Sequence, residues 1–234
     1  YDISDGDSSI AAKCLLPAAG LIFERHIRLE GECVRFTETV ENTSILDRAI
    51  AWTQHVTLGP PFLEKGVTQF RAPGTRACSL EGREFEWPFK PRARGQAEDM
   101  RVFTNAPVSG GFDTVLMDSR DARAFFFAWS PTSQVLFGYA WNRADFPWLG
   151  IWEENYGREL PPWSRRTLTR GMEFSASPFP ESRRQMIDRK SLFGAQGYRW
   201  IPAKATARVE YSAFITKARS IPEGLDELEI DVSA

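Results

Sequence analysis

Short segments in which apolar and polar residues alternate recur along this sequence, and no other feature limits its possible folds as strongly. The segment 22–29 ("IFERHIRL") alternates in this way, and the segment 33–41 ("CVRFTETVE") does so again after the turn "EGE". A period of two on both sides of a turn predicts a β-hairpin. No segment has the 3.6-residue period of a long amphipathic helix. We therefore expect an all-β fold, an antiparallel sandwich or barrel.

Aromatic residues are abundant, with 17 Phe, eight Trp and five Tyr among 234 residues. Many lie in short runs, such as "AFFFAWS" at 124–130 and "FPWLGIWEENY" at 146–156, and such runs favour strands. Most of these rings are expected to fill a core, although aromatic faces also suit the apolar C–H faces of sugars. Because neither a repeat nor a low-complexity linker divides the chain, we predict one domain over residues 1–234.

The charge and the apolar content argue against several classes of protein. A formal net charge of −2 gives no basic field that would attract nucleic acid. No apolar run approaches the ~18 residues that a membrane span needs, and no N-terminal segment has the pattern of a signal peptide. We therefore expect a cytoplasmic protein without a membrane or nucleic-acid partner. Three cysteines without C-x-x-C spacing argue against a disulfide framework and a structural zinc site.

One of the two histidines lies in a segment with strand character, "AIAWTQHVTLG" at 49–59, which ends at the pair Pro60-Pro61. Alternation places Trp52 and Gln54 on one face of this predicted strand, and His55 on the other face between two threonines. A histidine on a polar face, flanked by hydroxyl groups, suits a ligand site. It equally suits plain exposure to solvent.

A glutamate lies in a similar position in "RGMEFSAS" at 170–177. Met172 and Phe174 share the apolar face, whereas Glu173 and Ser175 share the polar one. A lone glutamate on a polar face is usually just solvated, but here "SPFPES" turns the chain sharply straight afterwards. The following segment, 179–194, is expected to hold a short helix, and the acidic tail 222–234 is expected to be peripheral.

Two segments taken together resemble the aldose 1-epimerase (galactose mutarotase) family: "VENTS…RAIAWTQHVTLGPPFL" and, later, "RGMEFSASPFPESRR". In the family, as in this chain, the first of the two motifs is a turn followed by a strand that carries a histidine. The second motif comes later in the chain and is an apolar strand that carries a glutamate and is followed by a proline-containing turn. The resemblance extends from about residue 23 to residue 215. It implies the antiparallel β-supersandwich of galactose mutarotase-like proteins, in which an open concave sheet binds a sugar.

The resemblance also implies a reaction, in which a hexose ring opens and recloses on its other face. The anomeric hydroxyl loses a proton while the ring oxygen gains one, so a base and an acid are needed. By resemblance Glu173 is the base and His55 the acid, and neither a metal nor a nucleotide cofactor is required. Asp113 in "GGFDTVLM" is the first candidate for the family's sugar-binding aspartate and Asp145 the second, although both also suit turns. Trp152 is a candidate for stacking on the sugar or, alternatively, for the core.

The sequence departs from the family in one respect, because the family's additional upstream histidine has no counterpart here. His26 belongs to the first hairpin and is expected to lie on the surface or at an edge. The chain, which starts abruptly at "YDISDGDSS", either lacks the first strands of the full fold or is a divergent member.

Three functions remain open at this point. The first is an epimerase acting on a free hexose, and the second is an epimerase acting on a hexose phosphate. Rim arginines from "KPRAR" or "SRR" would serve the second. The third is a non-catalytic carbohydrate-binding protein. A glycosidase is disfavoured because it needs two paired acids and only Glu173 stands out.

Overall fold

The computed structural model describes residues 2–92 and 95–232, and within them the regular structure is almost entirely β. In chain order the strands are β1 Asp2–Gly6, β2 Ser9–Leu16, β3 Leu21–Glu30, β4 Cys33–Asn42, β5 Arg48–Ile50, β6 Thr53–Gln54, β7 Thr57–Leu58, β8 Gln69–Arg71, β9 Gly74–Ser79, β10 Glu84–Glu86, β11 Phe89–Pro91, β12 Ala97–Asp99, β13 Ser109–Met117, β14 Arg123–Ser130, β15 Val135–Asn142, β16 Trp148–Asn155, β17 Leu168–Ser175, β18 Ser191–Leu192, β19 Ala195–Gln196, β20 Arg199–Ile201 and β21 Thr206–Lys217. The helix α1 Arg183–Arg189 follows β17, and a 3₁₀ turn spans Leu225–Glu227.

Two large sheets contain most of these strands. The first has the strand order β1-β2-β3-β4-β21-β15-β14-β8, and the second has the order β10-β9-β13-β16-β17, with β6 and β7 both paired to the free edge of β17. Neighbouring strands in both sheets are antiparallel. The all-β antiparallel prediction is therefore confirmed. The predicted first hairpin is present as β3 and β4, with Ile27 opposite Phe36.

The inner faces of the two sheets share one aromatic core. The rings of Trp141 on the first sheet and Phe174 on the second stack with centroids 4.4 Å apart, and Phe146 meets Phe174 edge-on at 5.4 Å. All three side chains are completely buried. Offset and edge-on ring pairs add to the hydrophobic gain from burial. Packing therefore explains much of the aromatic content of the sequence.

The register of the second sheet decides which residues share a face. Glu173 on β17 lies opposite Gly150 on β16, and Gly150 lies opposite Thr114 on β13. Directly opposed residues of antiparallel strands point to the same side, so these three share the outer face. The neighbouring row, Asp113–Ile151–Met172, points to the inner face, where Ile151 and Met172 belong to the core.

The predicted strand 49–59 is not one strand but three short ones, β5, β6 and β7. β5 pairs with β20, whereas β6 and β7 pair with β17, so the chain changes its partner strand between β5 and β6. The amide of Val56 donates to the carbonyl of Gln54 at 3.2 Å, which forms a tight turn centred on His55. The predicted faces survive this break, because Trp52 and Gln54 are buried and His55 is exposed.

Two predictions for the C-terminal part had different outcomes. The helix expected within 179–194 is present as α1. The tail, however, is more than peripheral. Val232 is 5% exposed and packs against the outer face of the first sheet with Phe125 and Phe127. Ser212 also donates a hydrogen bond to the carbonyl of Val232 at 2.7 Å. The acidic composition of the tail concealed these few apolar anchors.

Candidate active site

His55 and Glu173 meet at the outer face of the second sheet. Nε2 of His55 lies 2.9 Å from Oε1 of Glu173. The two residues are far apart in sequence, and they meet because β6 and β7 flank His55 and both pair with β17, the strand of Glu173. Glu173 is 8% exposed, whereas the His55 side chain is 64% exposed. The pair therefore has one buried member and one member that is mostly exposed.

Two glycines make room for this pair. A Cβ atom on Gly171 would lie only 2.8 Å from Oε1 of Glu173 and 3.3 Å from Cβ of Trp152. The carboxylate therefore lies over the bare backbone of Gly171, next to Trp152. On the neighbouring strand, a Cβ atom on Gly150 would lie 2.7 Å from the Phe112 ring. The carboxylate of Glu173 and the ring of Phe112 therefore lie directly over the backbone of these two glycines.

Burial raises the pKa of Glu173 above its ordinary value, and the nearby His55 opposes this by favouring the charged carboxylate. A raised pKa makes a glutamate a stronger base at neutral pH than a solvated one. Nδ1 of His55 lies 3.1 Å from Oγ1 of Thr57, which restrains the ring on its other side. The arrangement provides a proton acceptor and an adjacent imidazole at one point of the surface.

A groove of about 220 Å³ opens beside the pair. It lies between the outer face of the second sheet and the turn that follows β17. Its lining combines polar groups with aromatic and proline side chains, from Ala51, Thr53, His55, Phe112, Gly150, Glu173, Ser175, Ser177, Phe179, Pro180 and Glu181. This volume is below the roughly 300–1,000 Å³ of pockets for drug-sized ligands, and it suits a small polar ligand.

Trp152 borders the pair on the same face of the sheet. Its ring centroid lies 6.4 Å from that of His55, and the side chain is only partly buried. Trp152 lies opposite Gly171 in the register, and Gly171 is two residues from Glu173 on the same strand and the same face. The structure therefore brings His55, Glu173 and Trp152 together.

Asp113 does not join this group. It points to the inner face of the second sheet, where Nζ of Lys90 lies 2.6 Å from its Oδ2. Burial raises the pKa of Asp113, and the ammonium group of Lys90 opposes that rise. Our expectation that Asp113 shares the groove with Glu173 is wrong, because the two side chains lie on opposite faces of one sheet. Asp113 is therefore not among the residues on which we base a function.

The other candidates also lie away from the groove. Asp145 follows β15 and accepts a hydrogen bond from Nη1 of Arg199 at 2.9 Å, and His26 is exposed on β3 of the first sheet. In "KPRAR", Arg92 forms an ion pair with Glu98, and Arg94 lies outside the described residues. The arginines of "SRR" begin the helix α1.

Sequence reasoning missed a buried polar cluster that fixes the strand before His55. Glu38 on β4 is completely buried. Its Oε1 accepts hydrogen bonds from Nε of Arg25 at 2.6 Å and from the Tyr211 hydroxyl at 2.7 Å, and its Oε2 accepts from Nε1 of Trp52 at 2.8 Å and Nε2 of Gln54 at 2.6 Å. One signal was available. Arg25, Glu38 and Gln54 each occupy the apolar side of an alternating strand.

Among residues 2–92 and 95–232, no three His, Cys, Asp or Glu side chains are grouped so that they could hold a metal ion. In the same part of the chain, no helix has the length and the apolar character needed to cross a bilayer.

Comparison with known proteins gives similarity of structure but not of sequence. No family model matches this sequence, and no curated protein has a significantly similar one. A proposed aldose 1-epimerase from Klebsiella pneumoniae superposes with a TM-score of 0.66 at 12% identity, over 93% of this chain and 53% of that one. One from Escherichia coli K12 gives 0.64 at 10%, over 92% and 67%. A galactose mutarotase related enzyme from Lactobacillus acidophilus gives 0.61 at 10%, over 94% and 73%.

These similarities define the class of the fold. The chain has the galactose mutarotase-like β-sandwich fold, as the resemblance of its motifs implied. It spans about half to three-quarters of the length of these three structures. At 10–12% identity the likeness concerns the fold, and the activity must be argued from the site.

Proposed function

We propose that this chain carries the acid–base pair of an aldose 1-epimerase, which interconverts the anomers of a hexose by opening and reclosing the ring. The observation that supports the proposal is the contact between His55 and Glu173 in an open groove with aromatic walls. Glu173 is buried enough to have a raised pKa, as a base working near neutral pH requires. The fold of the chain is shared with proteins named for this reaction.

The proposed reaction uses only proton transfers. Glu173 accepts the proton of the anomeric hydroxyl, and the bond between C1 and the ring oxygen breaks. The electron pair of that bond goes to the ring oxygen, which takes a proton from the His55 imidazolium. The open aldehyde rotates about its C1–C2 bond. The reverse transfers then close the ring on its other face, which restores both side chains.

The direct contact between the two side chains has a consequence for sugar binding. A hemiacetal that engages both groups must part them, because their nearest atoms are 2.9 Å apart. His55 is the member that has room to turn, since most of its side chain is exposed.

The proposal is tested by following a pure anomer to equilibrium in a polarimeter, with each of several hexoses. Glu173→Gln keeps the shape and removes the base, and His55→Asn removes the acid. General acid–base groups typically contribute about 10²–10⁴-fold each, so each variant should lose at least about a hundredfold in rate. His26→Asn makes the same chemical change at an exposed site and should keep the rate.

Because the two groups act in one proton relay, the double variant should be little slower than the slower single one. Activity that survives both substitutions would contradict the assignment of these residues. A wild-type protein with no rate above that of buffer would contradict the epimerase proposal.

The second candidate is a non-catalytic carbohydrate-binding protein of the same fold. It is favoured by the lining of the groove, whose polar and aromatic side chains suit a sugar whether or not a reaction follows. Titration calorimetry separates the two candidates, since a binding protein gives heat with a hexose but does not accelerate mutarotation. The prediction of a cytoplasmic location remains part of this proposal.

A further inference from the structure

An arginine outside the proposed acid–base pair contacts the same tryptophan. The loop 156–167, which follows β16, brings Cζ of Arg158 to 5.3 Å from the centroid of the Trp152 ring. The Trp152 ring is also within 6.4 Å of the His55 ring, centroid to centroid. Arg158 therefore lies one aromatic side chain away from the pair formed by His55 and Glu173.

Two further groups hold Arg158 in place. Its backbone amide donates to Oε1 of Glu154 at 2.8 Å, and its Nε lies 3.2 Å from Oε2 of the same carboxylate. The guanidinium also lies over a second ring, that of Trp163, with Cζ 4.5 Å from the centroid. Contacts of this kind between a guanidinium and aromatic faces are favourable, so the side chain is oriented before any ligand binds.

The outer end of the guanidinium is free. Glu154 is 1% exposed, and its shortest contact with the guanidinium is the one to Nε of Arg158. Within the described part of the chain neither terminal nitrogen of Arg158 donates a hydrogen bond, and the side chain is 46% exposed. Two parallel N–H donors on a fixed plane match the geometry of a phosphate or carboxylate group.

Two neighbouring cations have partners of their own. Arg165 forms an ion pair with Glu159 of the same loop. Lys65 lies over the Tyr156 ring at 5.2 Å, and its Nζ donates to the carbonyl of Pro107 at 3.2 Å. Arg158 thus combines an oriented plane, terminal donors without a hydrogen bond in the described residues and a contact with the ring that neighbours His55.

From this geometry we infer that Arg158 binds an anionic group, a phosphate or a carboxylate, carried by the sugar at the end remote from its anomeric carbon. The inference rests on the proposed function and names its substrate class. A sugar with C1 at His55 and Glu173 extends along Trp152, and its far end reaches the terminal nitrogens of Arg158. The preferred substrates are then hexose phosphates or uronic acids rather than neutral hexoses.

The test compares dissociation constants of matched sugars by titration calorimetry. Each of several hexoses is paired with its 6-phosphate and with its uronic acid. Wild-type protein should bind at least one anionic form about tenfold or more tightly than the neutral parent, as expected for a charge-assisted bidentate contact. Raising the salt concentration should reduce this ratio.

Arg158→Gln should remove the preference while leaving the affinity for the neutral sugar within about threefold. Arg158→Lys keeps the positive charge but loses the two parallel N–H donors, so it should keep part of the preference for the anionic sugar. The matched control is Arg165→Gln, which removes one positive charge from the same loop and should keep the preference. Thermal unfolding of each variant shows whether a lost preference for the anionic sugar comes from misfolding. A partly retained preference in Arg158→Lys supports the inference without this measurement, because a misfolded variant would bind no sugar.

Equal affinity of wild-type protein for the neutral and both anionic forms would overturn the inference, and so would a preference that survives Arg158→Gln. Absence of binding by any sugar would overturn it as well. A preference for phosphates alone, or for uronic acids alone, supports the inference and identifies the group. The polarimetric rates judge the proposed function separately, since a protein without any rate can still show a preference that depends on Arg158.

Discussion

Gly171 lies two residues before Glu173 on β17, and the absence of a side chain there is what allows the carboxylate to lie beside Trp152. A methyl group at this position would lie 2.8 Å from Oε1 of Glu173, closer than ordinary van der Waals contact permits. Gly171 is also the register partner of Thr57, so the same residue pairs β7, which directly follows the turn of His55, with the strand of Glu173. One glycine therefore serves both members of the pair.

We predict that Gly171→Ala lowers the mutarotation rate about tenfold to a hundredfold, because displacement of a catalytic group by about 1 Å can cost that much. The fold should tolerate the change, since the atom to be moved is the end of a flexible side chain. Polarimetry and thermal unfolding on the same sample measure the two effects. Gly111→Ala is the control, because a Cβ atom there meets nothing within 4 Å. A variant as active as wild type would contradict the proposed position of Glu173.

The pH dependence of the rate follows from the raised pKa of Glu173. Its carboxylate must be charged to act as a base, so activity is lost as the pH falls through this pKa. Because burial raises the pKa above 4.5, the acidic limb of kcat/KM should lie above pH 4.5. A limb at or below pH 4.5 would show that Glu173 is not the base, or that it is not buried in solution.

The His55→Asn variant should shift the titration of Glu173 further in the same direction. His55 favours the charged carboxylate, so its removal should raise the pKa of Glu173 again. Carbon-detected NMR of the glutamate side chains measures this shift without any need for activity. The resonance that disappears in Glu173→Gln provides its assignment, and a lower pKa in His55→Asn would contradict the contact.

Removal of the buried carboxylate of Glu38 should be costly. Glu38→Ala leaves Arg25, Trp52, Gln54 and Tyr211 without their shared acceptor inside the sandwich. Loss of one partner from a buried charged cluster typically costs about 3–5 kcal/mol of the free energy of unfolding. Urea denaturation measures it. Glu41→Gln on the same strand, where the side chain is exposed, should change stability by no more than about 0.5 kcal/mol.

The faces of His55 and Glu173 could be predicted from the sequence, whereas their contact could not. Alternation places each residue on the polar side of its own segment, and this is a local property. The contact depends on the pairing of β6 and β7 with β17, which is a long-range choice that alternation does not encode. The order of the two motifs supplied it only through a resemblance to a known family.

Asp113 was chosen by resemblance, and alternation along β13 could not have corrected that choice. Residues 112–115 on that strand are all buried. Phe112 packs against Phe179 in the segment that follows β17, whereas Asp113 contacts Lys90 and Val115 belongs to the core. When both faces of a strand are covered, apolar and polar positions no longer mark inside and outside. Arg158 was missed for a different reason, since loops have no period and its role depends on two rings from other positions.

The last prediction concerns Trp152, whose ring is near both His55 and Arg158. If the sugar lies along this ring, Trp152→Ala should weaken the binding of a hexose about tenfold, a loss typical of one aromatic contact. Trp152→Phe keeps a flat apolar face and should recover most of the affinity, which separates a stacking role from simple loss of shape. Trp200→Ala removes a half-exposed tryptophan on β20, outside the groove, and should leave binding unchanged. Quenching of tryptophan fluorescence by the sugar in wild type, but not in Trp152→Ala, gives an independent measurement. Equal affinities in wild type and Trp152→Ala would mean that the sugar contacts the sheet elsewhere.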